Sequence, residues 1–259
     1  FCYYAAYRTT PRMNFIKRMA ERFIIALLVI GALWLIGAQI FNRLEDRLPL
    51  FWAILGTYVA AAYFILPQIV RLGMAIIYKE RIPSTVHAAD GLPADPINIT
   101  LVGTEAEINY AFARAGWHTA EALTVATTIK MGIAFILKRP YPTAPFSSLY
   151  LFGRKQDLAF QQAIGNSPRA RHHIRLWKKE NNIWLGAAVK DTGFGLARLT
   201  YQITHRIDRN IDHEREYLLE AFRNTELVKK DEYITSEQMA VRKYKTDGKI
   251  LMITLDTPQ

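Results

Sequence analysis

Residues 170–191 read ARHHIRLW, then KKENN, then IWLGAAVKD, and they decide the fold. Two runs rich in aromatic, aliphatic and alternating residues flank a short polar stretch, which is the pattern of an antiparallel hairpin. A register that leaves one face apolar pairs even positions of the first strand with odd positions of the second. His172, Ile174, Leu176, Ile183, Leu185, Ala187, Val189 and Asp191 then share one face. Arg171, His173, Arg175, Trp177, Trp184, Gly186 and Lys190 share the other, with Trp177 and Trp184 as a cross-strand packing pair. Working outward, further strands are expected at 97–103, 148–153, 199–207 and 249–255. One helix should start at the capping box Thr104-Glu105-Ala106-Glu107, and another should run from Asp212 to about Arg223 with Leu218, Ala221 and Phe222 turned inward. The expected class over residues 96–259 is a mixed α+β domain with a mainly antiparallel sheet.

The first third differs in kind. Residues 23–41, FIIALLVIGALWLIGAQIF, and 48–70, LPLFWAILGTYVAAAYFILPQIV, carry no charge. Each is long enough to cross a hydrocarbon core of roughly 30 Å. The first outruns the roughly 7–15-residue apolar region of a cleaved signal and has no clear A-x-A site, so it reads as a retained anchor. With the loop at 42–47 the two form a transmembrane hairpin. Arg8, Arg12, Lys17, Arg18 and Arg22 precede it, Arg71, Lys79 and Arg81 follow it, and Arg43 and Arg47 lie between. The positive-inside rule then places both termini and the following domain on the cytoplasmic side of the inner membrane. MNFIKRMAERF from Met13 has the form of a membrane-protein start, so no function is read from the residues before it within the basic segment 1–22. Residues 71–95 read as an amphipathic helix end and a Pro/Ala/Gly linker. A third apolar stretch, 119–137, contains Glu121 and Lys130; charges at mid-span are costly in lipid, so it is expected to be a packed or interfacial helix.

The 259 residues are 51% hydrophobic and 12% aromatic, which excludes a disordered tail or a coiled coil. A single cysteine, Cys2, excludes an intramolecular disulfide, and neither a CxxC pair nor an HExxH helix occurs. The net charge of +10 is uneven: −4 over residues 82–129, +9 over 130–179 and −1 over 180–259. A basic block beside an anionic leaflet points to membrane lipid or a phosphate-bearing ligand. No zinc-finger spacing, RNP-like stretch or basic zipper supports nucleic acid.

His172 and Asp191 fall at the same end of the apolar face, and His205 shares a face with Leu199, Tyr201, Ile203 and Ile207, so the three are expected to converge as catalytic residues. With Asp208 and Asp212 of the H-x-x-D-x-x-x-D run they would form a divalent-metal set that activates water or clamps a phosphoryl oxygen. Without metal, a histidine oriented by Asp191 is a general base. The competing reading is a satisfied core pair with Asp212 as a helix cap. Arg171, His173, Arg175 and Lys190, with Arg154 and Lys155 after the 148–153 strand, form the expected anion-binding set. Asp191-Thr192-Gly193-Phe194-Gly195 lacks a following Gly-Lys-Ser/Thr and reads as a turn.

The runs APFSSLYLFGRKQDLAFQQAIGNSPRARHHIRLW, IWLGAAVKDTG and ITHRIDRNIDHERE together resemble the LssY C-terminal domain family over about residues 96–222. That resemblance implies a bacterial membrane-associated module, often joined to integral-membrane units of the lipid-phosphate phosphatase or DedA-like kind. It brings no assigned activity or catalytic residue. The phosphatidic acid phosphatase motifs K-x6-R-P, P-S-G-H and S-R-x5-H-x3-D are not met: eight residues separate Lys130 from Arg139, and the other two motifs are missing. The expected function is a membrane-anchored domain of the cell envelope that binds or hydrolyses an anionic, phosphate-bearing lipid or similar substrate. As an enzyme it would be a hydrolase. The alternative is a noncatalytic interaction module with a membrane-protein partner in an envelope, transport or secretion complex.

Overall fold

A computed structural model describes residues 15–77, 83–89, 91–137, 139–165, 170–179, 182–196, 203–235 and 244–256, which divide into two compact units. In the first, helix runs through Phe15–Trp34, a wider π-helical stretch at Leu35–Phe41, and Asn42–Glu45. A second helical run comprises Leu50–Val59, the π-helical Ala60–Ile65 and Leu66–Ile77. Met19–Glu45 and Leu50–Val70 are long and apolar enough to cross a membrane. The turn closes with Leu48 N donating to Leu44 O at 2.8 Å, and the Pro49 carbonyl accepts from Trp52 N at 2.8 Å to start the second run. Proline is tolerated there because the first helical turn has no intrahelical use for its N–H. Phe23, Leu33, Phe51 and Phe64 stand outward, each about two-thirds exposed, an arrangement suited to hydrocarbon rather than water.

The second unit is built on a twisted sheet. Its elements are β1 (Ile99–Val102), α1 (Glu105–Arg114), β2 (His118–Thr119), α2 (Val125–Ile136), β3 (Leu158–Ala163), β4 (Arg171–Lys178), β5 (Ile183–Leu196), β6 (Ile203–Ile207), α3 (Ile211–Arg223), β7 (Val228–Thr235) and β8 (Lys249–Leu255). The spatial order is β7-β8-β1-β5-β4-β3-β2, with β6 pairing the far half of β5. Among the described strands of this sheet, only β8 and β1 pair in parallel. The class is therefore α+β with a mainly antiparallel sheet, as the alternation predicts. Thr104 and Glu107 form the expected reciprocal capping box of α1.

The β4–β5 register differs from the expected one by one residue. His172 pairs with Lys190, Ile174 with Ala188, Leu176 with Gly186, and Arg171 with Asp191. Trp177 pairs with Leu185, and Trp184 with Lys178, so the two tryptophans occupy opposite faces. The reason is that both faces of this central pair are buried: Arg171, His173, Ile174, Arg175, Leu176 and Trp177 are all buried. An apolar-face criterion cannot choose a register when both faces are covered. Residues 191–195 continue β5 rather than turning. The 71–95 linker contains the short strands Thr85–His87 and Pro93–Pro96. The 148–153 strand contracts to Tyr150–Leu151, because Phe152 and Gly153 both adopt positive φ. β3 and β7 are additions, and residues 199–202 of the expected third strand lie outside the described residues.

One sheet face packs on α1 and α3 through Ile108, Phe112, Leu218 and Phe222 against Ile99, Phe160, Ile174, Leu176 and Leu251. Phe112 stacks on Phe160 with ring centroids 4.0 Å apart. Gly186 suits this packing: a Cβ there would meet Leu176 Cδ2 at 3.0 Å and Ile174 Cδ1 at 3.2 Å, and both side chains would have to shift. Asn98, fully buried, fixes α3 to the sheet. Its side-chain oxygen accepts from Ala188 N at 3.0 Å, and its amide nitrogen donates to Ala188 O at 2.8 Å and to Ile211 O at 3.3 Å. Stripping these three bonds strands buried backbone groups. Asn98→Ala is expected to lower unfolding free energy by about 2–3 kcal/mol, measured by equilibrium denaturation of the detergent-solubilised chain.

Candidate functional site

Strand alternation sends the consecutive residues His172 and His173 to opposite faces of β4, and each face carries its own polar cluster. The face away from the helices holds Arg171, His173 and Arg175, joined by Asp191 from β5 and Asp95 from Pro93–Pro96, all buried. Arg171 Nε donates to Asp191 Oδ2 at 3.0 Å, and its Nη1 donates to Gln161 Oε1 at 2.7 Å. Arg175 Nη1 donates to Asp95 Oδ2 at 2.6 Å, and Nη2 to Ser147 O at 3.3 Å. The Phe146 ring lies 5.1 Å from the Arg171 guanidinium carbon and 4.4 Å from that of Arg175, so an aromatic face covers both cations.

The two guanidinium ions and two carboxylates of this cluster balance in charge. Burial pushes the Asp95 carboxyl up, but Arg175 beside it, helped by His173, holds it below the usual carboxylate range. Arg175 Nη1 also lies 2.8 Å from His173 Nε2. A guanidinium can only donate, so Nε2 accepts and the proton sits on Nδ1, 3.3 Å from Asp191 Oδ2. Burial opposes a charged His173 ring and Asp191 favours it, with the net effect upward from the ordinary histidine value. A second proton must enter at Nε2, which faces Asp95 Oδ2 at 3.6 Å, and this is incompatible with the Arg175 bond. The ring thus has two mutually exclusive hydrogen-bond arrangements.

The expected anion set therefore does not stand as drawn. Arg171 and Arg175 are neutralised by Asp191 and Asp95, because buried cations require counter-ions. Arg154 lies in the short strand Arg154–Lys155 and belongs to the first compact unit. Lys190 faces the other way, beside His172.

On the helix face, Gln162, His172 and Lys190 form one row across β3, β4 and β5. His172 Nδ1 hydrogen-bonds Glu214 Oε2 at 2.7 Å, and the Tyr217 ring stacks on the imidazole at 3.9 Å. Tyr217 donates to Gln162 Oε1, whose amide reaches back to Gly116 O at 3.3 Å. Trp117 closes the cluster, 6.3 Å from the His172 ring. Burial and the Glu214 carboxylate push the Tyr217 phenol up. Three ties set the height of Glu214 on α3. They are the Asn98 bond to Ile211 O, the Asp212 carboxylate accepting from Thr246 Oγ1 at 2.8 Å and Asp247 N at 2.7 Å, and Arg215 Nη1 donating to Lys249 O at 2.7 Å.

The catalytic trio of His172, Asp191 and His205 is not brought together. His172 turns to Glu214, while Asp191 turns to Arg171 and His173. His205 pairs in backbone register with Phe194, and it is Ile207 that stands beside Asp191; the His205 side chain lies outside the described side chains. Asp208 accepts from Asn210 N at 3.0 Å, and Asp212 is engaged by Thr246 and Asp247. The cap of α3 is Asn210 rather than Asp212. Among the described residues no group of three or more His, Cys, Asp or Glu side chains is placed to hold a metal ion.

Glu214, Tyr217, Trp117 and Gln162 were not among the expected site residues. The signal for Glu214 was present: four and eight residues before Leu218 and Phe222, it lies on their inward helix face. Among the described residues Glu214 Oε1 and Trp117 Nε1 are buried without a hydrogen-bond partner, and so are His173 Nδ1 and Arg175 Nε on the other face. The His172 side chain is 14% exposed against 2% for His173. With Nδ1 engaged, Nε2 of His172 is the ring nitrogen left to react. Diethyl pyrocarbonate treatment of the full chain in nanodiscs, read by peptide mass spectrometry, should modify His172 with the exposed His118 and His213 and spare His173 until the chain is unfolded.

No curated protein and no solved structure matches the chain. A sequence model described as the LssY C-terminus matches residues 79–250, which covers β1 through β7, the first two residues of β8 and every residue of both polar clusters. The chain belongs to the LssY C-terminus family.

Proposed function

We propose that the chain is a membrane-anchored domain, with termini and domain on the cytoplasmic side, that takes an anionic, phosphate-bearing ligand at the His172 face and uses His172 as its acid–base group. The single observation that carries this reading is the His172–Glu214 pair at 2.7 Å beside two buried polar atoms, Glu214 Oε1 and Trp117 Nε1, that have no partner among the described residues. Such atoms are rare in folded proteins and mark places where a ligand or water completes the bonding. Lys190 in the same row supplies a cation for an anion, and Gln162 supplies a neutral polar neighbour.

In the hydrolytic form, His172 Nε2 accepts the proton of a water whose oxygen bonds to phosphorus as the ester P–O bond breaks, Glu214 holds Nδ1–H and stabilises the imidazolium that forms, and the imidazolium then returns the proton to the departing alkoxide oxygen. A positioned base of this kind contributes about 10²–10⁴-fold to rate. The buried Arg171–Asp191 and Arg175–Asp95 pairs take a structural role and hold β4 so that the site has a fixed floor.

The test uses the full chain, with ring-labelled histidine, in phosphatidylcholine nanodiscs titrated with inorganic phosphate, and in parallel nanodiscs containing phosphatidylglycerol. The His172 ring resonances should move with one or both probes and the His173 resonances should not; Lys190→Ala should weaken the response several-fold. Hydrolysis of phosphatidylglycerol, read as released glycerol or glycerol phosphate, that disappears in His172→Ala identifies the hydrolytic form, whereas a ligand response without turnover identifies a binding module. A His172 ring indifferent to both probes contradicts the proposal.

A further inference from the structure

Beyond the His172 site, the geometry points to α2 as a membrane-inserted interfacial helix that gives the domain a third hold on the bilayer. α2 lacks the polar outer face of a soluble surface helix. Val125, Ile129, Ile133 and Ile136 follow helical spacing along one stripe and are 79, 58, 52 and 77% exposed. Thr127, Met131 and Ala134, on the opposite side, are the less exposed residues. A helix docked on a soluble domain turns its polar side outward; here an aliphatic stripe is exposed alongside Thr128 and Lys130. Leu123 and Leu137 extend the stripe, each about half exposed.

The polar groups of this segment are arranged for a medium that offers them no hydrogen bonds. Thr127 Oγ1 donates to Ala122 O at 2.8 Å, Thr128 Oγ1 donates to Thr124 O at 2.7 Å, and Thr124 and Thr127 cap each other's backbone N–H at 3.1 and 2.8 Å. In water these hydroxyls need no internal partner; in hydrocarbon an unpaired one costs several kcal/mol, on the order of 4–8 for transfer to an alkane. The two charges that count against membrane entry, Glu121 and Lys130, meet each other at 3.2 Å. Tyr141 and Thr143 hydroxyls also donate to Glu121 and draw its carboxyl down to about 2. Lys130 Nζ lies 4.2 Å from the centre of the Tyr141 ring.

Length decides the mode of insertion. The 12 residues of α2 span about 18 Å at ~1.5 Å per residue, well short of a hydrocarbon core of roughly 30 Å, so α2 lies in the interface and does not cross. The same chain carries two spans long and apolar enough to cross a membrane, so a bilayer is the apolar phase always tethered to this stripe. A 12-residue helix with no buried side chain among those described is marginal in water, and the bilayer supplies the burial it lacks.

The test places nitroxide labels at Ile129→Cys and Ile133→Cys in a Cys2→Ser chain, reconstituted in phosphatidylcholine/phosphatidylglycerol nanodiscs, with Tyr233→Cys on the exposed β7 as the aqueous reference. Collision rates with oxygen, which concentrates in lipid, are compared with those of a water-soluble nickel chelate; an unchanged unfolding temperature identifies folded samples. Oxygen collisions should exceed nickel collisions at both α2 positions, with the order reversed at Tyr233→Cys. Nickel dominance at either α2 position means a water-facing stripe and overturns the proposal. Protection from both reagents means that protein, a second copy or another segment, covers the stripe, and this overturns it equally.

Discussion

Two buried ion pairs, Arg171 with Asp191 and Arg175 with Asp95, govern how the sheet of this domain is assembled. An unpaired ion inside a protein costs several kcal/mol even after relaxation. Sliding β4 by one residue against β5 would carry both arginines to the helix face, away from these carboxylates and into contact with Ile99, Phe112 and Leu218. Charge balance, rather than the pattern of apolar residues, therefore fixes the register. Phe146, laid across both guanidinium groups, seals the cluster from water and makes the requirement stricter.

That register gives adjacent histidines different work. His173 sits between Arg175 and Asp191 with almost no exposure, its Nε2 accepting from Arg175 and its Nδ1 3.3 Å from Asp191 Oδ2. His172, one residue earlier, emerges beside Glu214, Tyr217 and Lys190 with a ring nitrogen to spare. The helix that supplies Glu214 is itself pinned by Asn98, whose amide substitutes for a strand neighbour at Ala188 and reaches Ile211. The site is thus a product of two constraints, the ion pairs setting the strand and the asparagine setting the helix.

Much of the architecture was legible because it rests on local chemistry. The capping box at Thr104 and Glu107, the two uncharged spans and the inward Leu218 and Phe222 are all carried by residues a few positions apart. What was illegible depends on distant residues. Asp95 sits in a stretch that reads as a linker, and nothing local shows that it answers Arg175 across the fold. β7, VKKDEYIT, reads as a charged surface segment because only Ile234 is buried along it. Trp177 and Trp184 look like a natural pair until the register separates them. Among the expected site residues, His172 lies beside a different carboxylate, Glu214 in place of Asp191, and Lys190 shares its row. Arg171, Arg175 and His173 move to the structural cluster.

The most direct measurement is a double-mutant cycle on Arg175→Met and Asp95→Leu in the full chain, read as unfolding free energy. Each single replacement leaves a buried charge alone and should cost about 3–5 kcal/mol, while the double replacement removes both charges and should cost well under the sum, with a coupling of at least ~2 kcal/mol. Losses that add to within about 0.5 kcal/mol would mean that the two residues do not meet, and the register and both faces built on it would fall.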